Sequence, residues 1–408
     1  MLDHTLTFIL AGGMGSRLHP LTSERSKPSV PFGGKYRIID FTLANCLHSG
    51  LRRVLVLTQY KSHSLHKHLR DGWSIFNPEL GEFITAVPPQ MRQGQHWYQG
   101  TADAIYQNLN LLERSDAEYV LILSGDHIYR MDYAAMLKTH NKQNADVTVG
   151  CMEVDISEAS AFGVISTDQN NQISAFTEKP ERPTPTPENS DKALASMGIY
   201  VFSAALLKTV LEEDNLDHES SHDFGKDLLP KLIHGHNVRA HIFGGDDGRV
   251  LPDRYWRDVG TIDSYYQANM DLLEPVPPLN LYQDDWPIRT YQPQTPPART
   301  VPGRSGTEGI FINSILASGV VIAGGNVGHS ILFHNIFVDN NAIVDHSILL
   351  SGVQVGERAK LRNCIIDKNV KIPADQRIGY DLEKDRQRFT ISDKGIVVVP
   401  SSYTFQSS

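Results

Sequence analysis

The sequence TLTFILAGGMGSRL occupies residues 5–18, and a Lys-Pro pair follows at Lys27. The apolar run 6–10 is typical of a buried strand, and three glycines come directly after it. Glycine lets a backbone approach a phosphate closely, and successive amide groups then form an anion-binding concavity. Arg17 and Lys27 add two cations that suit a polyphosphate. The stretch therefore predicts a nucleoside triphosphate site after the first strand of an α/β domain.

Two common phosphate motifs do not fit this stretch. The dinucleotide fingerprint G-x-G-x-x-G requires a third glycine where Leu18 stands, and no Walker G-x-x-x-x-G-K-[ST] is present. A glycine-rich turn after a strand is often only a tight connection. The two cations at set distances from the glycines favour the nucleotide interpretation over a simple turn.

Composition narrows the class of protein. The chain has 408 residues, 40% of them hydrophobic, a net charge of −9 and three cysteines. The acidic balance argues against a nucleic-acid surface, and the sparse cysteines fit reduced thiols. The sequence shows no signal-peptide pattern and no long apolar run. We therefore expect a cytoplasmic protein that contacts neither nucleic acid nor membrane.

The first part of the chain, residues 1–274, alternates apolar runs with helical patterns. Residues 54–58, 119–123 and 147–152 are typical of buried strands, and Ile105, Leu109 and Leu112 would share one helix face. This alternation predicts a mostly parallel sheet covered by helices, with ligands at the carboxyl ends of the strands. Residues 275–302 are rich in proline, which predicts a semi-rigid linker.

The last part of the chain, residues 303–408, contains a repeat. Ser-Ile-Leu begins at Ser314, Ser330 and Ser347, and Cys364-Ile-Ile continues the series at spacings of 16, 17 and 17 residues. A second register that begins at Gly319 has the same period. Short β runs separated by glycine and asparagine at a constant period predict a β-helix solenoid rather than a β-sandwich.

Charged residues near predicted strand ends are candidates for binding a metal ion and a sugar phosphate. Asp126 and Asp258 each precede or follow a glycine turn and could hold Mg²⁺ together with phosphate oxygens, although a lone aspartate there often only caps a helix. Glu178 and Lys179 could bind sugar hydroxyls and a phosphate monoester, or form a solvated ion pair. Tyr98 offers an aromatic face for a ring or for the core.

Taken together, the motifs resemble the sugar-nucleotide pyrophosphorylases, most closely the bacterial glucose-1-phosphate adenylyltransferase family. The resemblance covers nearly the whole chain. The segments that carry it are LAGGMGSRL (10–18), RSKPSVPFGGKYRIIDFTLANC (25–46), QHWYQGTADAIYQN (95–108), ILSGDHIYRMDY (122–133), ASAFGVI (159–165), FTEKP (176–180), ASMGIYVF (195–202), SSHDFGKDLLP (220–230), YWRDVGTIDSYY (255–266) and WPIRTY (286–291).

The resemblance implies a fold and a reaction. The fold would be a Rossmann-like mixed, mostly parallel sheet followed by a left-handed parallel β-helix. The reaction would convert ATP and α-D-glucose 1-phosphate to ADP-glucose and pyrophosphate with Mg²⁺, for glycogen synthesis. A homotetramer controlled by phosphorylated effectors is also implied.

The resemblance also assigns residues, position by position, with Arg17, Lys27 and Asp126 as the catalytic set. Nucleotide contacts would come from Leu10, Ala11, Gly12, Gly13, Gly15, Ser16, Arg17, Lys27, Gly100, Thr101 and Ala102. Glucose 1-phosphate would meet Tyr98, Gly163, Glu178, Lys179 and Ser196, and the metal would meet Asp126 and Asp258. Arg25, Arg37 and Arg362 are the candidate effector contacts.

Allosteric control is where the chain departs from the family pattern. Glu24 and Pro31 stand where the best-known members have lysine and histidine, and the tail 400–408 lacks the familiar basic residues. The effector therefore cannot be named from the sequence.

Three other functions compete with this interpretation. A nucleotidyltransferase for another base or sugar would keep the same motifs, and a non-catalytic regulatory subunit would keep the fold without needing the charged set. A hexapeptide-repeat acyltransferase would use a solenoid histidine, for which His329, His334 and His346 are available. With only about four coils, we expect these histidines to be turn residues.

Overall fold

The computed structural model describes residues 1–90, 97–244, 248–250 and 254–405. Gln95 and His96 of the segments quoted above, and the last three residues of the tail, lie outside the described residues. The amino-terminal unit contains the following strands: β1 Thr5–Ala11, β2 Pro31–Phe32, β3 Tyr36–Arg37, β4 Arg53–Thr58, β5 Phe83–Val87, β6 Tyr119–Ser124, β7 His127–Tyr129, β8 Val147–Asp155, β9 Gly163–Thr167, β10 Ile173–Glu178, β11 Lys192–Ser203, β12 Val238–Ile242 and β13 Trp256–Asp258.

The central sheet is mixed, as the family resemblance implied. Its main path runs β10-β9-β11-β6-β1-β4-β5, and β8 joins β11 to β12. Strands β6, β1, β4 and β5 are parallel, whereas β11 is antiparallel to its neighbours. In the β1–β6 register Leu10 lies opposite Ser124. The glycine loop after β1 and Asp126 after β6 therefore start at the same edge of the sheet, as expected for parallel strands.

Helices cover both faces of this sheet, whose core side chains form separate buried clusters. The predicted helix face through Ile105, Leu109 and Leu112 is divided, because the first helix stops at Tyr106 and the second begins at Leu109. The described residues contain the α-helices α1 Ile39–His48, α2 His63–Trp73, α3 Thr101–Tyr106, α4 Leu109–Glu113, α5 Tyr133–Lys142, α6 Ala204–Asn215, α7 Leu229–Leu232, α8 Ile262–Met270 and α9 Leu382–Arg386.

The carboxyl-terminal unit is a solenoid of stacked parallel strands. Ile315, Ile331, Ile348 and Ile365 are consecutive register partners, which confirms the predicted period. Its strands are β14 Arg299–Val301, β15 Ile310–Ile312, β16 Ile315–Leu316, β17 Val321–Ala323, β18 Asn326–Gly328, β19 Ile331–Leu332, β20 Phe337–Val338, β21 Ile343–Leu349, β22 Gln354–Val355, β23 Lys360–Ile366, β24 Lys371–Ile372, β25 Arg377–Ile378, β26 Thr390–Ile391 and β27 Val397–Val399.

The second predicted register is confirmed as well. Val321, Phe337, Gln354 and Lys371 pair in turn along a separate parallel sheet. Apolar side chains such as Ile348 and Val355 are buried inside the solenoid, whereas Ile310, Phe311 and Ile312 near its start are exposed. Parallel pairing at a constant period is what a left-handed β-helix requires, and a β-sandwich does not have it.

The connector between the two units is irregular but anchored. Residues 274–298, all of which the structure describes, carry no helix or strand. The indole of Trp286 is buried and donates to Asn45, and Thr290 donates to the buried carboxylate of Asp40 at 2.7 Å. The first solenoid strand begins at Arg299, inside the stretch predicted as linker.

Direct contacts also join the two units. Arg25 forms a bidentate ion pair with Asp367 at 2.9 and 3.2 Å, although 342 residues separate them. Tyr266 donates its hydroxyl to the carbonyl of His346 at 2.7 Å. A single buried apolar cluster includes side chains of both units, so the solenoid packs directly against the sheet domain.

Two sequence-based expectations concern the environment of the protein. Within the described parts of the chain, none of the helices combines the length and apolarity that a membrane span needs. The three cysteines, Cys46, Cys151 and Cys364, are free thiols and buried.

Candidate active site

The loop after β1 forms the floor of a cleft of about 640 Å³. Gly15 has a φ of 62°, and a Cβ there would lie only 3.0 Å from Cβ of Lys27, so the loop requires glycine at this turn. At Gly13, by contrast, a Cβ would meet nothing within 4 Å, because that backbone faces the open cleft. The loop therefore has one glycine for its shape and one that leaves room for a ligand.

Lys27 joins this loop to two carboxylates from distant parts of the chain. Its Nζ lies 2.8 Å from Oδ2 of Asp126 and 2.7 Å from Oδ1 of Asp258. Asp126 follows β6, and Asp258 ends β13, which pairs with β7 in the register Asp258–His127. That short antiparallel pair is what brings the two carboxylates together.

The electrostatics of this group favour the charged forms of Lys27 and Asp126. Burial alone would lower the pKa of Lys27, but Asp126 and Asp258 outweigh it and raise that pKa above its ordinary value. Burial would raise the pKa of Asp126, yet Lys27, His127 and a hydrogen bond from Ser124 hold it well below its usual range. The cluster thus presents a fixed ammonium at Lys27 and an ionised carboxylate at Asp126 at neutral pH.

Arg17 contributes a second cation beside the same group. A Cβ on Gly260 would lie 3.2 Å from Nη2 of Arg17 and 3.0 Å from Oδ2 of Asp258. Gly260 therefore keeps this space open between the guanidinium and the carboxylate. Arg17, Lys27 and Asp126 all line the cleft, as a triphosphate site would require.

The far wall of the cleft is the start of α3. A Cβ on Gly100 would lie 2.1 Å from the carbonyl oxygen of His222, so no other residue fits there. That carbonyl accepts from the amide of Ala102 at 2.8 Å, and Thr101 donates to Asp223 at 3.0 Å. Gly100 and Thr101 line the cleft, whereas Ala102 is buried behind it.

The residues predicted for the sugar phosphate lie next to this cleft. Gly163 faces Glu178 in the β9–β10 register, and a Cβ there would lie 2.9 Å from its Oε2. Lys179 is exposed and pairs with Glu178 at 2.9 Å. The structure thus groups these three residues around one carboxylate.

Ser196 lies at an irregularity of β11, where the register shifts before Tyr200. Burial raises the pKa of Tyr200, and its phenol is close enough to Asp223 and Glu178 to be affected by both carboxylates. A Cβ on Gly225 would lie 2.8 Å from Oε2 of Glu178 and 3.5 Å from Oδ1 of Asp223, so the group around Glu178 lies beside the nucleotide cleft. Tyr98, the fifth predicted sugar contact, lines the nucleotide cleft itself.

Sequence reasoning did not single out two polar residues that line the cleft. Gln59 follows β4 and accepts from the amide of Tyr98 at 3.0 Å, and Asp223 binds Thr101. Asp223 lies in a segment quoted for the family resemblance. Gln59 comes directly after the apolar strand β4, much as Asp126 comes shortly after β6. A polar residue at the carboxyl end of a buried strand was the sequence signal that could have identified Gln59.

The donor set suits a divalent cation. Asp126, His127 and Asp258 each offer a ligand atom within 4.8 Å of the others. Carboxylate oxygens are the ligands of a hard cation, which usually takes one or two of them and fills its shell with water and phosphate. Burial lowers the pKa of His127, which lies against the Trp256 ring with centroids 4.8 Å apart.

Comparison with known proteins agrees with this geometry. Residues 6–275 match the nucleotidyl transferase family, and residues 296–399 match the GlmU-like C-terminal hexapeptide family. The chain is 63% identical over 406 residues to glucose-1-phosphate adenylyltransferase 2 of Vibrio cholerae, with 100% of each chain covered. The chain belongs to the glucose-1-phosphate adenylyltransferase family. The match persists at 49% identity to the Nitrosococcus oceani enzyme, covering 97% of this chain and 93% of that one.

Family membership agrees with the two units seen in the fold. The glucose-1-phosphate adenylyltransferase 2 of Vibrio vulnificus is 64% identical, with 99% of this chain and 100% of the relative covered. Nucleotidyltransferases generally use a divalent metal, and the carboxylates of Asp126 and Asp258 fit one. The family therefore accounts for a charged cleft in the first unit and for the hexapeptide-type repeat in the second.

The three arginines predicted to bind an effector do not all line one cleft. Arg37 lines a smaller cleft of about 150 Å³ between the two units, together with Lys35 and Lys368. Arg25 lies behind it in the buried pair with Asp367. Arg362 does not line this cleft and lies 3.9 Å from Asp345 on the solenoid.

Lys368 is the cleft residue that the sequence did not reveal. Burial, with the repulsion of Arg37 and Arg25, lowers its pKa to about 7. Lys368 reaches this cleft because the solenoid packs on the first unit. Local sequence patterns do not predict that packing.

Proposed function

We propose that this chain is a glucose-1-phosphate adenylyltransferase. It would transfer the adenylyl group of ATP to the phosphate oxygen of α-D-glucose 1-phosphate, forming ADP-glucose and releasing pyrophosphate. The observation that carries the proposal is the placement of Lys27 between Asp126 and Asp258 beneath the glycine loop. The full-length similarity to family members supports the same conclusion.

The reaction depends more on neutralising phosphate charge than on transferring a proton. The attacking phosphate oxygen is already anionic at neutral pH, so we assign no general base. The difficulty is to bring two polyanions together, and fixed cations offset their repulsion. The cleft supplies Lys27 and Arg17 at the triphosphate side, and Lys179 supplies an exposed ammonium at the sugar phosphate side.

Each part of the site then has a role in positioning. The amides of the loop 12–16 would hold the triphosphate, and Gly100 and Thr101 would lie near the adenine. Glu178 would accept hydroxyl protons of the sugar, while Lys179 holds its phosphate. Alignment of the attacking oxygen, the α-phosphorus and the leaving pyrophosphate provides much of the rate.

We propose that the divalent metal is Mg²⁺. Asp126 and Asp258 would hold it, and when bound it would neutralise charge on the phosphates. In the described structure Lys27 bridges these carboxylates, so its ammonium balances them. The same lysine would be free to contact a phosphate oxygen once the carboxylates engage a cation.

We also propose that the cleft lined by Lys35, Arg37 and Lys368 binds a phosphorylated effector, with Arg25 supporting its wall. Three basic side chains around one cleft between two units favour an anionic ligand. Arg362 lies outside this cleft, so we expect it to contribute little. A homotetramer and a cytoplasmic location complete the proposal.

The test is activity of the purified chain expressed alone. We expect ATP to be the preferred donor among the five common nucleoside triphosphates, and glucose 1-phosphate the preferred acceptor among hexose 1-phosphates. Stoichiometric release of pyrophosphate and loss of activity with a chelator would support the proposal. Preference for another base or sugar, or inactivity without a second type of subunit, would overturn it.

A further inference from the structure

A cluster of two histidines and one aspartate lies on the solenoid, away from the nucleotide cleft. His329 and His346 occupy equivalent positions on neighbouring coils, and their rings stack with centroids 4.6 Å apart. Oδ1 of Asp345 lies 2.8 Å from Nδ1 of His346 and 3.5 Å from Nδ1 of His329. Each of the three side chains thus places one donor atom in the same small space between two coils.

The turn itself does not require histidine. Asn313 and Asn363 hold the same position on the coils before and after, with φ angles of 41° and 47°. His329 and His346 have φ angles of 45° and 43°. Asparagine is well suited to this left-handed conformation. The backbone conformation therefore does not explain why two of these positions are histidine.

Gly328 makes room for the carboxylate. It is the register partner of Asp345, and a Cβ on it would lie 3.4 Å from Oδ1 of that residue. The carboxylate therefore reaches toward the coil of His329, whose Nδ1 is buried and has no hydrogen-bond partner among the described residues. Arg362 approaches the other oxygen, Oδ2, at 3.9 Å, which leaves Oδ1 facing the histidines.

We propose that His329, Asp345 and His346 bind one divalent transition-metal ion of the zinc type. The three donor atoms lie within 4.8 Å of one another. Metal bonds to these ligands are about 2.0–2.2 Å long, which places neighbouring donors roughly 3 Å apart around an ion. The separations between Asp345 and the two imidazoles match that spacing.

The chemistry of the donors selects the ion. Imidazole nitrogen favours Zn²⁺, Co²⁺ and Ni²⁺, whereas Mg²⁺ and Ca²⁺ favour oxygen. The stacked rings must rotate for both Nδ1 lone pairs to meet one ion, and each side chain is 46% exposed, which leaves space for that rotation. Three protein ligands leave the remaining coordination positions to water.

A bound metal ion would cross-link the coils of His329 and His346 close to the contact between the two units. Tyr266 of α8 donates to the carbonyl of His346 at 2.7 Å. An ion held by both coils would therefore stabilise the solenoid where the first unit packs on it. This effect is separate from catalysis, because none of the three residues lines the nucleotide cleft.

The experiment is a Zn²⁺ titration of the untagged full-length protein by calorimetry, with excess Mg²⁺ present to occupy the carboxylates of the nucleotide cleft. Co²⁺ serves as a second probe through its visible absorption. The variants are His329→Gln, His346→Gln and Asp345→Asn, and the matched control is His218→Gln, which removes an exposed histidine elsewhere.

We expect one Zn²⁺ per chain, affinity reduced at least about tenfold in each of the three variants, and no change in the control. Zn²⁺ should raise the melting temperature of the wild type and of the control only. Absence of binding, or equal binding by His329→Gln, His346→Gln and the wild type, would overturn the proposal. Adenylyl transfer without Zn²⁺ should be the same in all five proteins, so the outcome does not depend on the proposed function.

Discussion

The Nζ atom of Lys27 lies 2.7 Å from Oδ1 of Asp258, although 231 residues separate the two in the chain. The same ammonium contacts Asp126, so one buried cation joins the glycine loop to both carboxylates. This arrangement keeps Asp126 ionised next to the carboxyl group of Asp258, and it places both groups where a nucleotide-bound cation would be needed.

Replacing Asp126 by asparagine should lower kcat by about 10²-fold or more, because one preorganised charge at the reacting phosphates is lost. Steady-state kinetics at saturating substrates measure the effect. The matched control is Asp155→Asn, an exposed aspartate paired with Lys192, which should leave kcat unchanged. Near-normal turnover by a folded Asp126→Asn protein would refute the assigned role.

Lys179→Gln should raise the KM for glucose 1-phosphate and leave the KM for ATP nearly unchanged. The reason is that Lys179 is on the side of Glu178 and Gly163, away from the glycine loop. Lys208→Gln, which removes an exposed lysine paired with Glu113, is the control. Equal increases in both KM values would contradict the placement of the sugar phosphate.

Two glycine variants should separate folding from nucleotide binding. Gly13→Ala adds a methyl group to open space, so it should keep the melting temperature and raise the KM for ATP. Gly100→Ala forces a Cβ to 2.1 Å from the carbonyl oxygen of His222, and it should cost about 1–3 kcal/mol of stability. Thermal unfolding and ATP kinetics measure both. A destabilised Gly13→Ala or a fully stable Gly100→Ala would show that the loop geometry is wrong.

Breaking the ion pair between the units should be costly. Asp367→Asn leaves Arg25 buried without its partner, for a loss of about 3–5 kcal/mol in urea unfolding. The double variant Arg25→Met/Asp367→Leu should recover most of that loss, because neither charge remains buried. Asp116→Asn, which breaks the exposed pair with Arg53, should change stability by less than about 0.5 kcal/mol. Equal effects of the buried and exposed variants would refute the assignment.

Lys368 should make stability depend on pH. Its pKa is about 7 in the folded protein, below the ordinary lysine value of 10.5, so the unfolded chain binds more protons between those values. Stability of the wild type should therefore rise with pH across this window. Lys368→Met should be more stable than the wild type at pH 6, and this advantage should shrink towards pH 10. An advantage that is constant or grows with pH would contradict the low pKa.

An anionic effector should raise the low pKa of Lys368. A phosphate placed beside Lys35, Arg37 and Lys368 would favour the charged form of Lys368 and raise its pKa. Binding should then take up protons near pH 8, which calorimetry in buffers of different ionisation enthalpy can measure. Proton release on binding would place the effector elsewhere.

The local elements of the fold were predictable because hydrophobic periodicity records them directly. The run before Gly12 is a strand, and the series from Ser314 to Cys364 repeats at the spacing of one coil, which fixed the register of the solenoid. The break between Tyr106 and Leu109 was not visible, since the apolar spacing continues across it.

The candidate site was predictable in its residues more than in its geometry. Glycines and cations near strand ends pointed to the cleft, but the bridge from Lys27 to Asp258 depends on the pairing of β7 with β13. The pair of Arg25 with Asp367 and the place of Lys368 depend on how two separate units pack. Such contacts over hundreds of residues leave no periodic pattern in the sequence.

The most direct test of the central claim is a crystal structure of the chain with Mg²⁺ and a non-hydrolysable ATP analogue. We predict that the triphosphate contacts the amides of residues 12–16, that Asp126 and Asp258 hold the metal, and that Lys27 reaches a phosphate oxygen. A nucleotide bound at another place, with this loop and both carboxylates left uncontacted, would contradict the account.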